Sequence, residues 1–257
     1  LKRLRIAILL LILGVVAYNT WHDRYHSTQW KVPLFVAIYP IAADSSPVTQ
    51  AYLATLDGSQ FQPIDQFFAR EAGRYHLALQ EPVRTRLRPV LDARPPAPPA
   101  VPGVLSTIWW SLRLRYWAWR VSGHAHEPED IRVFVLYHDP ALTPTVPHSL
   151  GLSKGLIGVV YAFADARMTG SNDVVIAHEM LHTLGATDKY AADNDAPRFP
   201  DGFGNPAQVP LYPQQTAELM AGRRMLSPTH WVQAENLDEV VIGPASAAEI
   251  RWPAVTQ

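Results

Sequence analysis

Residues 178–190 read HEMLHTLGATDKY, and the reading of the whole chain turns on this stretch. Ser171, Asn172 and Asp173 offer N-cap and first-turn residues for a helix, and Gly185 can end it in a left-handed conformation. Inside that helix Val174, Ala177, Leu181 and Leu184 form a core-facing stripe. His178 and His182 are four residues apart and share one face, so two imidazoles can converge on a single ion at about 2.0–2.1 Å. Glu179 is set roughly 100° round the helix, where its carboxylate can reach a metal-bound water without ligating the metal. Gly185 lets the chain reverse, and Asp188 arrives ten residues after the first histidine. A carboxylate there completes a His₂Asp set and leaves a fourth position for water. It also makes that water less acidic than three neutral imidazoles would, so more falls to Glu179 as base. At this composition an HExxH arises by chance in about one chain in a hundred, and Gly and Asp at fixed offsets lower that by a further factor of several hundred.

The pattern HExxHxxGxx followed by His or Asp is similar to the metzincin zinc-binding signature. The Asp form with Tyr190 two positions on resembles that of snapalysin-type bacterial peptidases. Residues 217–222, AELMAG, resemble the Glu-Leu-Met-small-Gly turn of the same proteins. The resemblance covers these two motifs alone. It implies an α/β (α+β) zincin-like fold: a mixed sheet over helices, the active-site helix at the base of a cleft, and an irregular C-terminal part. It implies Zn²⁺ as cofactor and a metal-activated water that hydrolyses peptide bonds with Glu179 as base. Met220 would form a hydrophobic base under the metal; the alternative, with Met225 nearby, is that it is only core. Tyr190 would stabilise the oxyanion, or else serve only as a packing aromatic. The strand at 155–163 would be the edge along which an extended peptide pairs antiparallel. One competing ligand remains open: in gluzincins a downstream glutamate is third, and Glu218 lies 36 residues after His182 in a plausible helix, PQQTAELMAGR. On that arrangement Asp188 would orient a histidine.

Working outward, residues 34–41 (LFVAIYPI), 131–137 (IRVFVLY) and 155–163 (GLIGVVYAF) read as buried strands. Phe61, Ile64, Phe68, Tyr75 and Leu79 recur at helical spacing. Residues 94–103 (RPPAPPAVPG) form a stiff, extended loop. From 104 to 121 a helix carries two apolar stripes, Leu105, Trp109, Leu112, Tyr116 and Trp119 on one, Trp110, Leu114, Trp117 and Val121 on the other, with arginines between. A central core helix and a helix lying on a membrane surface both fit that pattern. A short closing helix is expected at 246–252. Asp193, Asn194, Asp195 and Asp201 offer a loop cluster for Ca²⁺, and His124 with His126 a second metal pair, though solvated loop and polar turn explain them as well.

The 257 residues carry a net charge of −1, which gives no global field for nucleic acid or for an anionic membrane surface, and no cysteine, which excludes thiolate metal sites, disulfides and a cysteine nucleophile. Lys2, Arg3 and Arg5 precede an uncharged run at 6–18, with Trp21 and Tyr25 after it. That pattern suits a signal-anchor or a cleaved signal peptide. The expected division is a leader and juxtamembrane stretch at 1–30 and a catalytic domain at 31–257. The expected location is the cell (inner) membrane, single-pass, with the domain outside the cytoplasm in the periplasm, or secretion if the leader is cleaved. The expected activity is a zinc metallopeptidase acting on a peptide or protein. The alternatives are a zinc hydrolase of a non-peptide substrate and a membrane-anchored zinc-binding module without turnover.

Overall fold

The computed structural model describes residues 27–101, 103–123, 128–153 and 155–254. Five strands build the main sheet: β1 (Leu34–Ala42), β2 (Val83–Leu87), β3 (Ile131–His138), β4 (Leu150–Leu152) and β5 (Ile157–Phe163). Their order is β2-β1-β3-β5-β4; the first four run parallel and β4 is antiparallel to β5. The three central strands are apolar at successive positions because both faces are covered. In β1, Leu34, Val36 and Ile38 enter one core while Ala37, Tyr39 and Ile41 enter another.

Four helices flank the sheet: α1 (Pro47–Thr55), α2 (Gln62–Arg74), α3 (Val104–Val121) and α4 (Thr169–Leu184). The larger core lies on one sheet face, where Ile64, Phe67 and Phe68 of α2 meet Ile176, Ala177, Met180 and Leu181 of α4. The smaller core, on the opposite face, holds Leu114 and Ala118 of α3 against Phe134 and Val159. Beyond α4 the chain is mostly irregular. Its regular pieces are β6 (Ala217–Glu218) paired with β9 (Val240–Val241), a hairpin of β7 (Arg223–Ser227) and β8 (His230–Gln233), and α5 (Pro244–Glu249). Trp252, just past α5, packs edge-on against Trp30, whose indole donates to the Ile250 carbonyl, so residues 27–30 belong to the folded body.

The mixed α/β architecture agrees with expectation, and several finer expectations do not. The segment 155–163 is not an edge: β5 is flanked by β3 and β4, and the free edge on that side is β4. The 217–222 segment is no helix; Ala217 and Glu218 pair with β9 and the chain then turns. The helix begun near Phe61 ends at Arg74, short of Leu79. The 104–121 helix is not a central core helix, since only Leu114 and Ala118 are buried and the stripe from Leu105 to Trp119 faces outward. The expected single-pass anchor at 6–18 lies outside the described residues, as do His124 and His126. Among the described residues no helix is long and apolar enough to cross a membrane, which corrects the expectation of a single-pass membrane protein.

Candidate metal centre

The site is built on the last three turns of α4. That helix begins two residues earlier than its apparent cap: Asn172 lies within it and uses its side chain to bind both the amide and the carbonyl of Phe163. These two bonds, 3.1 and 2.9 Å, tie the start of α4 to the end of β5. The helix ends at Gly185, whose φ of 107° is open to glycine and strained for other residues.

His178, Glu179 and His182 form a group that could hold a metal ion, with one ligand atom from each lying within 4.8 Å of the others. Asp188 joins them: its Oδ1 stands 3.3 Å from His178 Nε2 and 3.1 Å from His182 Nε2. Two carboxylates are therefore within reach of the paired imidazoles, and they differ in placement. Asp188 contacts both Nε2 atoms at spacings close to the ~3.3 Å that separates donors round a tetrahedral ion with 2.0–2.1 Å bonds. Glu179 keeps one buried oxygen, Oε2, without a hydrogen-bond partner among the described residues. The far nitrogens are also committed. His178 Nδ1 is 3.0 Å from the Leu219 carbonyl and His182 Nδ1 is 2.9 Å from the Ala186 carbonyl. A carbonyl accepts, so each Nδ1 carries a proton; a neutral ring then presents its Nε2 lone pair to the shared point, and a protonated ring donates from Nε2 to Asp188.

Burial raises the Glu179 pKa, opposed by His178, His182 and His148 and reinforced by Asp188. Burial also works to raise Asp188, but hydrogen bonds to His178 and His182 outweigh it and hold this carboxyl well below the usual range. His182 is disfavoured as a cation by burial, yet Asp188, Glu179 and the Ala186 carbonyl bring its pKa above the ordinary value. Tyr190 is pushed up to about 12 by burial and by the Asp188 carboxylate, while the Arg223 guanidinium, 5.2 Å from its ring centre, works the other way.

These residues line a cleft of about 950 Å³. One wall is the 144–149 loop, which carries His148, and the other is formed by Arg223 and residues 232–235. β4 lies directly over α4: a Cβ at Gly151 would run into His182 Cβ and the Glu179 carbonyl. Only a glycine lets the strand approach this closely.

Four of the residues expected at the site, His178, Glu179, His182 and Asp188, converge there, and Tyr190 lines the same cleft. Glu218 does not. It is fully buried, and its carboxylate accepts from the amides of Gly243 at 3.0 Å and Ala221 at 3.1 Å, so it holds the 217–222 turn and reaches no imidazole. Met220 is fully buried in that turn, beside the Leu219 carbonyl that His178 contacts. Asp195 pairs with Arg223 and the Asn194 side chain accepts from the Ala196 amide; the 193–201 carboxylates form no metal-holding group among the described residues. Four contributors had no local signal in the sequence: His148, Gly151, Arg223, and Glu249 of α5. Glu249 accepts from Thr187 N, Thr187 Oγ1 and Lys189 Nζ, gripping the chain on either side of Asp188. No family model matches this chain, and no curated protein matches it.

Proposed function

We propose that this protein is a zinc-dependent peptidase of metzincin-like architecture, with His178, His182 and Asp188 as metal ligands and Glu179 as general base. The observation that carries the reading is the convergence of both Nε2 atoms on Asp188 Oδ1, with both Nδ1 atoms held by backbone carbonyls and Glu179 Oε2 buried and unpartnered beside them. With three neutral or anionic N and O donors and no thiolate, the set suits Zn²⁺ with an open position.

Zinc, when bound, supplies Lewis acidity to the scissile carbonyl and lowers the pKa of the nucleophilic water. The chain supplies the rest. Glu179, whose proton affinity is raised by burial, takes the proton of the nucleophilic water and delivers it to the leaving amine. Tyr190, neutral at physiological pH with its pKa pushed up to about 12, donates its hydroxyl to the developing oxyanion. β4 is the last strand of the sheet among the described residues, and its outer edge beside α4 is where an extended peptide adds as a further strand. The Leu219–Met220 turn fixes His178 from behind through the Leu219 carbonyl.

Elemental analysis of the purified chain, beside the His178→Ala/His182→Ala double variant, tests the metal. The expected result is about one zinc per chain, lost in the double variant. A folded chain that takes up no zinc under non-chelating conditions would remove the basis of the proposal. Glu179→Gln separates metal binding from turnover: zinc is retained and peptide cleavage falls by about 10²–10⁴-fold.

A further inference from the structure

The outward face of α3 is the largest feature that the metal centre leaves unexplained. On a helix of this length, burial on one side should leave polar residues on the other. Here Leu105, Ile108, Trp109, Leu112, Tyr116 and Trp119 are all exposed, Trp109 at 64% and Trp119 at 61%. Val101 and Val104 extend the patch at the start of the helix. At 100° per residue the six lie within about one third of the helix circumference, opposite buried Leu114 and Ala118. Arg113 and Arg120 border the strip on one side and Arg115 on the other. Exposed apolar faces this continuous mark an interaction surface.

Charge indicates what it meets. The chain as a whole has a net charge of −1, but α3 carries three arginines, Arg113, Arg115 and Arg120, and no carboxylate. A second copy of the same helix has no acidic group to set against these arginines, whereas an anionic surface complements all of them. Tryptophan and tyrosine among leucine and isoleucine, with arginines along the borders, is the composition that lies in the headgroup region of a bilayer. α3 packs on the sheet face opposite α4, so a surface held there leaves His178, Glu179 and His182 uncovered.

We infer that α3 docks this protein onto the surface of an anionic phospholipid bilayer, lying in the interface without crossing it. The test is flotation of the full chain with vesicles of phosphatidylcholine alone or with 30% phosphatidylglycerol, at low and high salt. Binding is expected to the anionic vesicles and to fall with salt. Trp109→Glu/Trp119→Glu should weaken it by at least about tenfold, and Arg113→Ala/Arg120→Ala by about thirtyfold on the anionic vesicles. All four side chains are exposed, so thermal melting and zinc content should match wild type and report that the fold is intact. The N-terminal apolar run is present in every variant, so lipid binding undiminished by both double variants would place the contact elsewhere and overturn the inference. A wild-type dimer by light scattering that becomes monomeric in the tryptophan variant, without vesicle binding, would assign the face to a second copy and likewise overturn it.

Discussion

Glu249→Gln probes how the fold delivers Asp188 to the histidines. The Glu249 carboxylate accepts three hydrogen bonds, from Thr187 N at 2.9 Å, Thr187 Oγ1 at 2.7 Å and Lys189 Nζ at 2.8 Å. Thr187 and Lys189 are the neighbours of Asp188, so the clamp fixes the backbone on both sides of the proposed ligand. Lys189 is only 4% exposed, and Glu249 is its one ion-pair partner among the described residues. A glutamine keeps one acceptor oxygen but turns an NH₂ toward the remaining donors. Charge-assisted bonds are worth about 1.5–3 kcal/mol each, and leaving a buried ammonium without its counter-ion adds to the loss, so a destabilisation of about 2–4 kcal/mol is expected. Loosening a group that positions a ligand typically lowers metal affinity by about 10–100-fold. Denaturant melts give the first quantity and chelator competition for zinc gives the second. The Glu249→Gln/Lys189→Met double variant separates them, because removing the orphaned ammonium restores stability but not the clamp. Zinc affinity within about twofold of wild type in Glu249→Gln, alongside the loss of stability, would show that Asp188 is held without Glu249 and refute the reasoning.

Asp188→Asn should abolish tight zinc binding while Glu218→Gln leaves zinc stoichiometry intact and lowers stability; the reverse pattern, read by elemental analysis, would return the third-ligand role to Glu218. Gly151→Ala should push β4 off α4, since the new Cβ meets His182 and the Glu179 carbonyl, and lower peptide cleavage at least about tenfold; unchanged kcat/KM would mean the strand has room to shift. Burial raises the Asp173 carboxyl to about 7. Below pH ~4 folded and unfolded chains both hold this proton; as pH rises toward 7 only the unfolded chain releases it, so stability falls over that window by up to about 4 kcal/mol. Asp173→Asn should therefore raise Tm at pH 8 and change it little at pH 4, and equal effects at both pH values would contradict the assigned cause.

Much of the site was legible because it is local. The four-residue spacing of His178 and His182, the flanking Glu179, the left-handed stop at Gly185 and the reach of Asp188 all follow from helix geometry over eleven residues. The central strands were legible for a similar reason, since a strand buried on both faces is apolar at nearly every position, as in β1 and β3. The helix over 104–121 was legible in extent, and its surroundings were not. Two apolar stripes are visible in the residues, but which one meets the sheet depends on the partner surface. In the fold Leu114 and Ala118 face Phe134 and Val159, and the stripe richer in large side chains is left outside.

The sequence by itself determined the chemistry of this protein's candidate metal centre: donor types, their order and their spacing are covalent facts carried on one helix and one turn. Tertiary structure decided everything that depends on pairing between distant segments. It made β4 rather than β5 the open edge, because edge status depends on which strand pairs last. It removed Glu218 from contention by burying it against Gly243, and it recruited Glu249, 61 residues beyond Asp188, to grip the neighbours of that proposed ligand. Periodicity reports which side of an element is apolar, while the partner it meets is settled only when the whole chain closes its core.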